Sequence, residues 1–77
     1  MSERKMVKNL LFFSVEDVKI ILGIENTKAY DIIKELRKEL VSKGYADYPA
    51  GRVPKKYFCE RYYLELKDVE EVLQANV

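Results

Sequence analysis

Hydrophobic positions recur at helical spacing in two blocks that a single glycine separates. Val15, Val18, Ile21 and Leu22 fall on one face of a short helix, and Ala29, Ile32, Ile33, Leu36 and Leu40 form a longer stripe at i, i+3, i+4, i+7 and i+11. Gly23 lies between them and accepts the left-handed backbone that ends a helix. The pattern predicts a short helix, a tight turn and a longer helix over residues 14–43, the layout of a helix-turn-helix. Local signals agree at both ends. Ser14 with Asp17 is a capping-box pair, and Phe13 with Val18 has the spacing of a hydrophobic staple. Asn26 or Thr27 is expected to cap the second helix, which stops near Lys43 with Gly44 after it.

The flanks read as support. Residues 1–9 are polar and basic without periodicity and predict a loose arm, with Arg4, Lys5 and Lys8 within it, and Leu10 to Phe13 predict a short extended segment. Residues 45–53, YADYPAGRV, predict two short strands joined by a turn at Pro49, Ala50 and Gly51, that is, a β-hairpin wing. Pro54 suits the first position of a helix over 54–64, with Phe58 and Tyr62 in the core. Leu66, Val69, Val72 and Leu73 repeat at helical spacing and predict a terminal helix over 66–75, while Tyr62 to Leu66 fits either a strand or more helix. The expected fold is a small, mainly helical α+β domain: one winged helix-turn-helix over residues 1–77 with a short hairpin wing.

Composition narrows the chemistry. With 77 residues, no histidine and one cysteine, the chain can assemble neither an internal disulfide nor a cysteine/histidine zinc site nor a nucleophilic triad. Cys59 reads as a small buried hydrophobe. No cofactor is implied and catalysis is not expected, whereas a binding module fits the size. The longest apolar run near the start, Leu10 to Phe13, is too short for a signal peptide or membrane span, which predicts a cytoplasmic protein.

Net charge is only +1, but it is unevenly spread. Residues 28–61 carry nine basic and five acidic groups, and residues 62–77 carry one basic and four acidic. The positive excess falls on the second helix and the segment after it, where a DNA backbone would lie. Thr27, Lys28, Tyr30, Asp31 and Lys34 point away from the apolar stripe near the start of the second helix, the end that enters a major groove in a helix-turn-helix. Arg52 on the wing, with Lys55 and Lys56 in a helix first turn where acidic residues are the stabilising choice, forms a candidate phosphate clamp. The competing reading from the near-neutral total is a protein-interaction adaptor on the same fold.

The run LGIENTKAYDIIKEL resembles the helix-turn-helix of excisionase-like, MerR-type winged-helix proteins of phages and conjugative transposons, and YADYPAGRVPKKYFCERYYL resembles their wing and following helix. The resemblance covers roughly residues 14–64. It implies a sequence-specific double-stranded DNA-binding protein, either an architectural factor that steers an integrase towards excision or a small transcriptional regulator of a mobile element. It implies an integrase or recombinase partner, or self-association on repeated sites. By position the base-reading candidates are Asn26, Thr27, Lys28, Tyr30 and Lys34, with Arg52 on the wing. Asp31 stands where a basic residue is common in such motifs, and is expected to turn away and pair with Lys28 or Lys34.

Overall fold

A computed structural model describes residues 11–75, so the expectations for residues 1–9 lie outside the described residues. The chain runs β1 (Phe12–Ser14), α1 (Val15–Leu22), α2 (Asn26–Ser42), β2 (Arg52–Pro54), α3 (Lys55–Tyr62) and α4 (Leu66–Ala75). It is a small α+β structure, mainly helical, with one two-stranded antiparallel sheet. Among the described residues no helix is long and apolar enough to cross a membrane.

The first half forms as its local chemistry dictates. Ser14 Oγ accepts from the Asp17 amide at 3.3 Å while Asp17 Oδ2 accepts from the Ser14 amide at 3.0 Å, closing the capping box that starts α1. Phe13 and Val18, the staple positions, are both fully buried. Gly23 ends α1 at φ 65, and α2 restarts three residues on. The expected cap of α2 is corrected. Neither Asn26 nor Thr27 serves: Glu25 is the last extended residue, its carbonyl takes the Ala29 amide, and no side chain caps the helix. At the other end the Gly44 amide donates to Val41 and the Tyr45 amide to Leu40, the paired bonds of a Schellman stop.

The predicted hairpin over 45–53 does not form. The turn is present, with the Arg52 amide donating to the Pro49 carbonyl around Gly51 at φ 76, but Tyr45 to Pro49 carry no strand. Three interactions hold that segment against the helices instead. Arg37 grips Asp47 through Nε and Nη2 at 3.2 and 3.1 Å, Asp47 Oδ1 accepts from the next amide, and Tyr48 meets Phe12 edge-on at 5.3 Å. Pro49 also lacks the amide a ladder needs. β2 therefore pairs with β1, 40 residues away, in the register Phe12↔Pro54, Phe13↔Val53 and Ser14↔Arg52.

That register exposes an internal repeat. Strand, first helix and second helix begin at 12, 15 and 26 in the first half and at 52, 55 and 66 in the second, a constant shift of 40. Tyr63 closes α3 in the left-handed conformation at φ 55, where Gly23 closes α1. The Val69 amide donates to Glu65 as the Ala29 amide donates to Glu25. Because equivalent residues Phe13 and Val53 face each other in an antiparallel pair, an approximate two-fold axis passes between them. Between residues 12–35 and 52–75 only Glu25 and Glu65 are identical, so the repeat lives in the backbone and the burial pattern. It also resolves residues 62–66: they are a turn, neither strand nor continued helix.

Both halves feed one core. Phe13, Val18, Ala29, Ile33, Val53 and Phe58 are at most 1% exposed, and Phe13 meets Phe58 edge-on at 5.4 Å. Cys59 is buried as expected, and burial pushes its thiol pKa up. Tyr62, expected in the core, is 38% exposed and only leans on Phe58. The terminal helix is likewise half-covered: Val69 is buried, but Leu66 and Val72 lie open because α4 rests on α1 and α3 alone. A polar cluster ties α2 to α3, with Arg61 forked onto Glu39 at 2.7 and 2.8 Å and the Tyr57 hydroxyl donating to the same carboxylate at 2.6 Å. Spacing alone paired Glu39 with Lys43; the tertiary fold gives it Arg61.

Phe13→Ala removes the aromatic that the capping staple, the ribbon and α3 share, and is expected to cost about 3 to 5 kcal/mol, read as a lower denaturant midpoint. The Arg61 fork and the Tyr57 hydroxyl hold the Glu39 carboxyl at about 2, below its ordinary 4.5. Its folded pKa is depressed, so its contribution is complete above pH 4.5 and fades as pH falls towards 2. Thermal unfolding across that window should show a shallower acid decline in Glu39→Gln than in the parent.

Candidate nucleic-acid interface

The two helix N-termini of the first half are built in opposite ways. That of α1 is closed by the capping box, with Glu16 and Asp17 in its first turn. That of α2 is open. It has no side-chain cap and no acidic residue in its first turn, so the leading amides of Asn26, Thr27 and Lys28 point outward without a protein acceptor. Open amides at the positive end of a 17-residue helix suit an anionic oxygen.

Burial of Ala29, Ile33, Leu36 and Leu40 against the core turns the opposite face of α2 to solvent. Asn26, Thr27, Lys28, Tyr30, Asp31 and Lys34 are all exposed there. Asn26, Thr27, Tyr30 and Asp31 line one shallow groove whose other wall is Val15, the first residue of α1. Val15 also carries the groove to the ribbon. A Cβ placed on Gly51 would lie 3.5 Å from Val15 Cγ2, and Arg52, the next residue, pairs with Ser14 directly before Val15. The exposed Arg52 thus emerges at the edge where α2 begins, although 26 residues of chain separate it from Asn26.

The three members of the predicted clamp separate. Arg52 stays beside the groove. Lys55 turns inward, with its side chain 11% exposed, an ion pair to Glu70 of α4 at 2.8 Å and its ammonium 5.4 Å from the centre of the Phe13 ring. Lys56 lies with Lys43 at a hollow by the far end of α2. The misfit of cations in the first turn of α3 is explained for Lys55 by tertiary pairing with α4. The positive excess of residues 28–61 also contracts, because Asp47 takes Arg37 and Glu39 takes Arg61. Lys28 and Lys34 remain unpaired, along with Arg52. The expected pairing of Asp31 is corrected: among the described residues neither Lys28 nor Lys34 bonds to it, and its carboxylate opens into the groove.

Sequence reasoning missed Val15 and Gly51 as parts of this surface. Val15 reads as one more member of an apolar stripe, and nothing in the local pattern brings Gly51 to it. Only the 12–14 to 52–54 pairing does.

No family model matches the chain, and no solved structure matches it. Among curated proteins the chain is similar to the ICEBs1 excisionase of Bacillus subtilis (strain 168), with 35% identity over 51 residues that cover 66% of this chain and 78% of the relative.

Lys55 and Lys34 should separate in mutants. Lys55→Met is expected to lower thermal stability by removing the partner of Glu70 while leaving affinity for duplex DNA within about twofold, whereas Lys34→Met should weaken DNA binding at unchanged stability. Melting curves and titrations of both variants check this.

Proposed function

This chain belongs to the family of that excisionase, and from this membership together with the α2 groove we propose that it is a small DNA-binding factor of recombination in a mobile element. In this reading the fold is a winged helix-turn-helix variant. α1 and α2 form the reading unit and the β1–β2 ribbon, carrying Arg52, stands where a hairpin wing would be. The N-terminal end of α2 enters the major groove of double-stranded DNA. Asn26, Thr27, Lys28, Tyr30 and Lys34 meet base edges and flanking phosphates, and the open amides of α2 hold a phosphate oxygen. Asp31 accepts from a cytosine amino group, the one base-edge donor that a carboxylate pairs with well in that groove. Arg52 reaches the adjacent backbone or minor groove.

The observation that carries the reading is the uncapped α2 N-terminus, set in an exposed polar face with Arg52 brought to the same edge. No part of it performs chemistry. The protein acts by occupying and shaping a site, in the cytoplasm and without a cofactor, and a recombinase that cuts and rejoins the strands is the partner this role requires. Excision is favoured over transcriptional regulation by the family. A single module of this size buries roughly 600 to 1,000 Å² on DNA, so full specificity calls for several copies or a neighbouring protein.

Neutralising about three to four phosphates predicts a fall of log affinity with log salt at a slope of roughly −3 to −4. The test titrates the protein against random duplex DNA at several salt concentrations, with the double variant Lys34→Glu, Arg52→Glu alongside. Binding lost in the variant and a slope in that range support the reading; a slope near zero contradicts it.

A further inference from the structure

The second half repeats the backbone of the first but carries different side chains at its turn. Where the first half has Gly23, Ile24 and Asn26, the second has Tyr63, Leu64 and Leu66, which are 97%, 39% and 41% exposed. Tyr63 is the sole described non-glycine residue at positive φ. Holding a tyrosine in a conformation that favours glycine, with nearly all of its side chain in solvent, stabilises nothing within the chain. Its neighbours are acidic: Glu60, Glu65, Asp68 and Glu71 are all exposed and none forms an ion pair among the described residues. Phosphate is therefore a poor occupant, and a protein surface with an apolar, basic-rimmed recess is a good one.

This chain carries such a recess. A hollow of about 390 Å³ lies at the C-terminal end of α2, walled by Tyr45, Tyr48, Tyr57 and Pro54 and rimmed by Lys43 and Lys56. Tyr45 is 59% exposed at its mouth. The hollow and Tyr63 sit at opposite ends of α3, and Lys56, Glu60 and Tyr63, at i, i+4 and i+7, share one exposed side of it. Two copies laid antiparallel along that side exchange both contacts at once, which is the condition for a closed two-fold interface.

We propose that the Lys56–Glu60–Tyr63 side of α3 is a self-association surface, on which Tyr63 of each copy enters the aromatic hollow of the other. Lys43 and Lys56 receive the Glu60 and Glu65 carboxylates that arrive with it. The hollow is at the far end of α2 from Asn26, about 25 Å along a helix of this length, so the paired form leaves the α2 groove open.

Sedimentation velocity of the purified chain without DNA, over a wide range of concentration, tests this apart from any reading of the DNA face. The mass should rise from 9.1 kDa and level off at twice that value. Tyr63→Gly should remain monomeric with a melting temperature no lower than the parent's, since glycine suits φ 55. The acidic-rim variant Lys43→Glu, Lys56→Glu and the basic-turn variant Glu60→Lys, Glu65→Lys should each be monomeric alone, and their mixture should dimerise. A parent that stays monomeric, a Tyr63→Gly chain that associates like the parent, a mixture that does not pair, or a mass that climbs past the dimer without levelling would each overturn the proposal.

Discussion

Everything in this fold depends on one cross-strand pair. Phe13 and Val53 are fully buried and face each other at the centre of a ribbon only three residues long on each side. Two strands so short contribute little pairing of their own. The burial of these two side chains, with Phe58 edge-on to Phe13, locks the register. A slip of one residue would send Phe13 to solvent and take Arg52 away from Ser14. The same pair sets the start of α1, because Phe13 directly precedes the capping serine, and the start of α3, because Pro54 follows Val53 and is its N-cap. Helix placement, turn placement and the approach of Arg52 to Asn26 all follow from it.

Around that axis one backbone plan has been given two surfaces. The first half opens the N-terminus of its second helix to solvent, removes acidic residues from the first turn and surrounds it with Asn26, Thr27, Lys28 and Tyr30. The second half places Asp68 in the first turn of α4 and puts an aromatic where the first has glycine. Its one inward lysine, Lys55, is drawn to α4 by Glu70. The two halves share a scaffold and divide their chemistry, one suited to an anionic polymer and the other to protein. The Glu39–Arg61–Tyr57 cluster and the Arg37–Asp47 fork then fix the C-terminal part of α2 in place, using cations that a charge count alone would have assigned to DNA.

What was legible in the sequence was local. Ser14 with Asp17, the stripe from Ala29 to Leu40, and glycine at 23 and 44 act through neighbours within a turn or two, and α1 and α2 lie where those signals place them. What was not legible was long-range. Residues 45–53 have the composition of a hairpin, and the alternative partner for 52–54 lies 40 residues back, where Phe12 and Phe13 read simply as apolar. The repeat escaped notice because its two copies share burial rather than identity. Lys55 and Arg61 looked like free cations because their carboxylates, Glu70 and Glu39, are distant in sequence. The exposure of Tyr62 and Leu66 depends on how few elements cover α4, which periodicity does not report. A shift of 40 between Gly23 and Tyr63, each followed by an aliphatic residue and a glutamate, was the one sequence trace of the duplication.

The central claim is that the first half alone faces DNA, although the second repeats its backbone. The most direct test is amide chemical-shift mapping on addition of a short duplex, because the repeat supplies an internal control. The account predicts shifts at Val15, at Asn26 to Asp31 and at Arg52, with the equivalent positions Leu66 to Glu71 unmoved. Shifts of equal size in both halves, or shifts confined to α3 and α4, would contradict it.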